Sequence, residues 1–253
     1  MQSSRYVACI VLAFGVAAGC ALAACGGTGG ATLFHPAPPD AGVPQEGYDG
    51  ALTEDAATLS EDAGPCPPAS VSSFTPTWKP PSASKSGACN KTQIPSFFDA
   101  CLGPSSTQSG CNAFVQSNAS CTSCLQSDDT DPAYGPVVWH ASRTYYTTNI
   151  AGCIADEQAD AGAAGCGAAY QAVVQCKETA CSACLTTQNP DFSRYAACEG
   201  QASTECGSFN DALQMACGSA LTDPTNVVAA CIPPAGDTSE DAYLRLAPIF
   251  CGQ

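Results

Sequence analysis

Histidine and basic residues are scarce in this 253-residue chain, with two His and eight Lys and Arg in all. His35 and His140 lie far apart, so a histidine-based triad or a multi-histidine metal site has nothing to build on. No Gly-x-Ser-x-Gly elbow, His-Glu-x-x-His pair or phosphate-binding glycine loop occurs either, and each of these would mark a familiar hydrolase or nucleotide site. The shortage of positive charge excludes another class. After Cys25 there are seven basic residues against 23 acidic ones, so that portion carries a charge near −16. It offers no basic patch to neutralise nucleic-acid phosphates or to dock on anionic lipid headgroups. Large apolar side chains are thin as well. Leu, Ile, Val and Phe fill 27 of the 188 positions from 66 to 253, a level at which chains tend to stay unfolded.

Cysteine is what the chain has instead. Sixteen lie between Cys66 and Cys251: Cys66, Cys89, Cys101, Cys111, Cys121, Cys124, Cys153, Cys166, Cys176, Cys181, Cys184, Cys198, Cys206, Cys217, Cys231 and Cys251. A poor core and dense cysteine explain each other, since each disulfide restores about 2–4 kcal/mol by constraining the unfolded chain. An even number allows all sixteen to pair as structural bridges, although connectivity cannot be read from sequence.

The N-terminus reads as an export signal. Arg5 is its only charge, and residues 6–22 are apolar or small, a run short for a membrane span. Leu22-Ala23-Ala24-Cys25 then matches a bacterial lipobox, an aliphatic and two small residues before the cysteine that is acylated. Cys20 fits less well, because Ala17 stands at the aliphatic position. The expectation is a signal peptide over 1–24 and a lipidated Cys25, the competing reading being an ordinary cleaved signal. Gly26 and Gly27 lack the acidic residue that retains some lipoproteins at the inner membrane, which favours the outer membrane of a bacterial cell envelope.

Residues 25–65 read as a disordered tether. Glycines and prolines punctuate them, and their charges are all acidic: Asp40, Glu46, Asp49, Glu54, Asp55, Glu61 and Asp62. Such a stretch has too little apolar surface to offset the entropy of ordering, and its like charges extend it. A spacer is the plainer reading, and an acidic partner-binding tail the sharper one.

Within 66–253 the cysteines keep a rhythm. Cys101 and Cys111, Cys111 and Cys121, and Cys166 and Cys176 each have nine residues between them, while Cys206 and Cys217 have ten. Phe114, Tyr170 and Phe209 follow about one turn after Cys111, Cys166 and Cys206, on the same helical face. Good helix formers fill the intervals, so three related helical units are expected. A short helix over 94–102 should stop at Gly103-Pro104, and Asn189-Pro190-Asp191 should open another. A last helix should be capped by Asp237, Thr238 or Ser239 and bent or ended by Pro248. Residues 137–140 and 144–147 are β-prone around Ala141-Ser142-Arg143. The fold class is thus mainly α: small disulfide-stapled helical units with at most one short β-hairpin.

Four groups of residues invite a chemical reading. Cys121-x-x-Cys124 and Cys181-x-x-Cys184 suggest a four-thiolate zinc site or a redox pair, but wide separation and the absence of a βαβ context favour structural bridging. Asp128-Asp129-Thr130-Asp131 resembles a calcium loop, yet Pro132 and Ala133 stand where further oxygen ligands and a glycine are needed. Trp139, His140, Tyr145 and Tyr146 are either a ligand-binding lip or a hairpin packed on helices. Sixteen acids in the domain leave a paired-carboxylate hydrolase open.

The lipobox Leu22–Cys25, the acidic Gly/Pro tether, the run Asn149-Ile150-Ala151-Gly152-Cys153-Ile154-Ala155 and the repeated Cys-x9-Cys units together resemble cysteine-rich predicted lipoproteins of myxobacteria. The resemblance is compositional, covers most of the chain and carries over no catalytic residue. That group has no assigned activity, and the expectation drawn from the residues themselves is a noncatalytic envelope lipoprotein, without cofactor or metal, held to a membrane by its N-terminal lipid and presenting a rigid domain for a structural or binding role. A secreted hydrolase or thiol-redox enzyme is the alternative.

Overall fold

The computed structural model describes residues 35–36, 66–83, 86–140, 143, 145–185, 192–234 and 236–252. The expected signal peptide and the lipidation position Cys25 lie outside them, as does all of the expected tether but a two-residue strand.

Two helical hairpins, each closed by nested disulfides, make most of the domain. The first runs out through α1 (Gln93–Phe97) and a widened turn over Phe98–Leu102, which ends at Gly103. It returns through α2 (Gln108–Ser117) and α3 (Ala119–Leu125). Cys101–Cys111 closes its tip and Cys89–Cys121 its base. The helix expected between Cys111 and Cys121 is broken at Asn118, whose side-chain amide turns back to the Phe114 carbonyl.

The second hairpin pairs α5 (Cys166–Ala180) with α6 (Phe192–Gln201) and α7 (Gly207–Cys217). Three nested bridges close it, from inside outward Cys181–Cys198, Cys176–Cys206 and Cys166–Cys217. This ladder gives the repeated spacing a physical meaning. At 1.5 Å of rise per residue, ten residues along α5 span about 15 Å and eleven along α7 about 16.5 Å. The two rungs therefore meet only because both intervals are nearly equal and the helices antiparallel.

Three bridges of long sequence separation join the parts: Cys124–Cys251, Cys153–Cys231 and Cys66–Cys184. The two close pairs divide their labour identically. Cys121 and Cys181 each close their own hairpin, whereas Cys124 and Cys184 each reach a distant segment, near the C-terminus in one case and at residue 66 in the other.

Between the hairpins lie a small sheet and two helices. β1 (His35–Pro36), β2 (Gln126–Asp128), β3 (Val137–His140) and β4 (Tyr145–Thr148) pair in the order β1-β4-β3-β2. β3 and β4 form the expected antiparallel hairpin, flanked by β2 in parallel and by β1 in antiparallel pairing. Asn149 ends the sheet and starts α4 (Ile150–Glu157): its carboxamide oxygen accepts from the Gly152 amide, and its NH2 donates to the Tyr134 carbonyl. Ile150 to Ala155 are all buried, and α5 crosses α4 closely at Gly167. A Cβ there would stand 2.5 Å from the Ala151 carbonyl oxygen.

α8 (Ser239–Cys251) closes the domain. Thr238 and Asp241 cap it reciprocally, and the helix continues through Pro248 rather than ending there. The Tyr243 hydroxyl donates to the Ile94 carbonyl, 2.9 Å away, pinning α8 to α1. No helix among the described residues is long and apolar enough to cross a membrane.

The core has two parts. The larger gathers Phe97, Phe98, Leu125, Trp139, Tyr146, Ile154, Tyr243, Leu246 and Phe250. The smaller contains Val71, Ala180, Tyr195, Ala202 and five half-cystines, so sulfur is its main apolar material.

Candidate functional site

Strand alternation decides what the aromatic cluster is. Side chains along a strand point to opposite faces in turn, and directly paired residues share a face. Trp139 pairs with Tyr146, and His140 with Tyr145. The four residues therefore split into two sets instead of forming one lip. Trp139 and Tyr146 meet edge to face at 5.4 Å within the larger core. His140 stacks on Tyr145 at 5.0 Å on the other face, where Tyr145 packs against the smaller core.

The Asp128–Asp131 run forms a turn, not a cation loop. The Asp131 carboxylate accepts from the Asp128 amide, and the Asp131 carbonyl accepts from Lys79 Nζ at 2.7 Å. Arg143 stands 3.1 Å from the Asp128 carboxylate and lies over the Trp139 ring, fastening the hairpin tip to β2. Arg143 does so from a left-handed backbone conformation, with φ at 72°, which is costly for a long side chain. Among the described residues no group of three His, Cys, Asp or Glu is arranged to hold a metal ion.

The chemically unusual groups lie on the His140 face, where sequence reasoning named only His140 and Tyr145. Burial pushes the Glu178 carboxyl of α5 up to about 8, with the charges of Glu199 and Asp129 adding to it. Burial likewise raises Glu199 of α6 to about 7, against the opposing pull of Lys177 and of the Tyr195 hydroxyl, which donates to it at 3.4 Å. Both side chains keep partial exposure, so they line a seam reached by water. The same burial lowers His140 to about 4, a change only partly offset by Asp129. At neutral pH its imidazole is uncharged, and the 3.8 Å approach of Nδ1 to Asp129 is no ion pair. Nε2 lies 2.9 Å from the Thr147 hydroxyl.

Disulfides hold the two glutamates together. Glu178 lies between Cys176 and Cys181 on α5, while Glu199 follows Cys198 on α6, and the bridges Cys176–Cys206 and Cys181–Cys198 prevent the helices from separating. Nothing in the local sequence announces such a pair, since the contact follows from connectivity. Carboxyl groups that titrate near neutrality are suited to moving protons, and ion-pair networks with no catalytic role shift them equally.

A pH dependence of stability follows. From about pH 4.5 upward the unfolded glutamates ionise while the folded pair retains protons, so ionisation favours unfolding as pH rises to about 8, with nothing from His140 to oppose it above pH 6.5. Below pH 6.5 His140 acts in the opposite sense, because the unfolded imidazole takes up a proton that the folded one refuses until about pH 4. Thermal melts should therefore show stability falling between pH 6.5 and 8. Glu178→Gln should flatten that slope and raise the melting temperature at pH 8 by an amount worth on the order of 1 kcal/mol. A slope unchanged in Glu178→Gln would show that this carboxyl does not carry the effect.

The sixteen cysteines form eight bridges, and the alternative thiolate sites dissolve with them, since Cys121, Cys124, Cys181 and Cys184 each bond to a different partner. No family model, no curated protein and no solved structure matches the chain, so any functional reading rests on its own residues.

Proposed function

We propose that the chain is a noncatalytic lipoprotein of a bacterial cell envelope, anchored through Cys25 and presenting its disulfide-stapled helical domain for a structural or binding role. The lipobox Leu22-Ala23-Ala24-Cys25, together with eight bridges of the kind that persist in oxidising compartments, supports this reading most strongly. Gly26 and Gly27 favour the outer membrane. Cys25→Ser is expected to move the mature protein out of the membrane fraction or to stall its processing, as judged by fractionation and intact mass. Wild-type fractionation and maturation of the variant would overturn the anchor.

One observation favours the alternative, a hydrolase working through paired carboxylates: Glu178 and Glu199 both titrate near neutrality. Against it, Glu199 is engaged by Tyr195, and both acids sit between helices that two bridges clamp. Turnover of a glycan or peptide substrate that disappears in Glu178→Gln, with folding retained, would favour the hydrolase.

A further inference from the structure

Residues 66–82 form a strap laid along α5, and the way it is held differs from the rest of the domain. Successive turns of α5 present Gln171 and Gln175 on one face, and each reads the strap's main chain in both directions. Gln175 accepts from the Thr77 amide at 2.9 Å and donates to the Thr77 carbonyl at 2.8 Å. Gln171 accepts from the Lys79 amide at 2.7 Å and donates to the Lys79 carbonyl at 3.3 Å. The Ala69 amide donates to the Ala180 carbonyl at the far end, so strap and helix run antiparallel. Side chains add anchors along its length: Val71 is buried in the smaller core, Phe74 meets Phe209 edge to face at 5.5 Å, Trp78 Nε1 donates to the Ala161 carbonyl at 2.8 Å, and Lys79 Nζ donates to the Asp131 carbonyl at 2.7 Å. This is recognition of an extended segment through its backbone, the mode by which proteins bind peptides.

The strap's covalent link is equally distinctive. Cys66–Cys184 joins it to the end of the second hairpin, and Cys66 is one of the few half-cystines outside the fully buried set. At the other end the Ser82 amide donates to the Tyr134 carbonyl and the Gly87 amide to the Gly252 carbonyl. The chain between those two pins can reach at most about 18 Å.

We propose that strap and groove are an interchangeable pair, so that the strap of one copy fits the α5 groove of a second copy and Cys66 of one can bridge Cys184 of the other. Every contact made in cis is available in trans, because the main-chain hydrogen bonds, the Val71 and Phe74 anchors and the cysteine pair are the same in both arrangements. The cis arrangement wins at low concentration, since a short connection gives the chain's own strap an effective concentration on the order of millimolar. Closure in cis then withdraws the groove from exchange. Copies held close together while the bridge is still open can close it in trans, which yields a covalent dimer.

The test uses two variants of the full mature chain, each also carrying Cys25→Ser. One bears Cys184→Ser and keeps a free Cys66; the other bears Cys66→Ser and keeps a free Cys184. They are mixed at about 1 mM, the order of that effective concentration, in glutathione buffer, where oxidised glutathione accepts the two electrons and two protons lost by the thiols. The expected product is a heterodimer joined by Cys66–Cys184 that outweighs the two homodimers combined by mass mapping, a sum that random pairing would only equal. Gln171→Ala with Gln175→Ala in both copies should return the mixture to random pairing, because the four hydrogen bonds that seat a strap are then lost in whichever groove it lies. Should those variants lose their helices, Thr77→Pro in both copies removes the amide donor to Gln175 and should act in the same direction. A statistical mixture of the three dimers, or a heterodimer yield that neither change affects, would overturn the proposal.

Discussion

Reduction of the native protein is expected to abolish most of its far-ultraviolet helical signal. α2 fully buries none of its residues and α7 only Cys217, so each leans on the cores through a few half-buried side chains, Phe114 and Val115 in one and Phe209 and Leu213 in the other. Five of the nine buried members of the smaller core are half-cystines, and once reduced their hairpin retains little more than Val71, Ala180, Tyr195 and Ala202. The larger core is better supplied, with Phe97, Leu125, Ile154, Tyr243, Leu246 and Phe250 fully buried. Loss should therefore begin in the α5–α7 half and reach the α1, α4 and α8 half at higher temperature or denaturant. Circular dichroism with and without a phosphine reductant reads the first effect, and hydrogen exchange the second. Retained helicity with an unchanged melting temperature would mean that the aliphatic core suffices without the bridges.

Removing single bridges should reveal an order set by the loop each one closes. Cys124→Ala with Cys251→Ala opens a link across 127 residues. The remaining Cys153–Cys231 bridge shortens that path to the 29 residues from Cys124 to Cys153 and the 20 from Cys231 to Cys251. Loop entropy for roughly fifty residues corresponds to about 4 kcal/mol. Cys101→Ala with Cys111→Ala opens a ten-residue loop with no such shortcut, for about 3 kcal/mol. Packing acts in the same direction, because Cys124 and Cys251 are buried whereas Cys111 keeps partial exposure. Urea unfolding of the two double variants should place the first below the second by more than 1 kcal/mol. Equal stabilities, or the reverse order, would mean that native-state strain or residual unfolded structure outweighs loop closure.

What could be read from the sequence was local. Of Asp237, Thr238 and Ser239 at the start of an apolar periodic run, Thr238 does cap α8, and the structure adds Asp241 as its reciprocal partner. The β-prone runs around residues 141–143 do pair. The Cys166–Cys176 and Cys206–Cys217 intervals were legible as helices, but not as the two sides of one ladder, because that depends on which sulfurs meet. The proximity of Glu178 and Glu199 was hidden for the same reason. The split of Trp139 and Tyr146 from His140 and Tyr145 was within reach, since alternation along a hairpin separates those pairs once a register is assumed. The four-residue lip neglected that alternation. Asp128, Asp129 and Asp131 carried enough turn chemistry to argue against a cation, and the turn they make uses Asp131 as its own cap.

The position of the Cys66–Cys184 bridge also determines how the domain bears force. Tension arriving along the residues before 66 enters at Cys66 and passes through the sulfur bridge to Cys184. From there the neighbouring Cys181–Cys198 and Cys176–Cys206 bridges spread it across α5, α6 and α7. The hydrogen bonds at Ala69, Thr77 and Lys79 lie on the slack side of that route, so a pull from the N-terminal side does not peel the strap away. A pull from Ser82 toward Cys89 would instead load them one at a time. The domain is thus mechanically polar, resistant from the side where a leash would attach and compliant from the other.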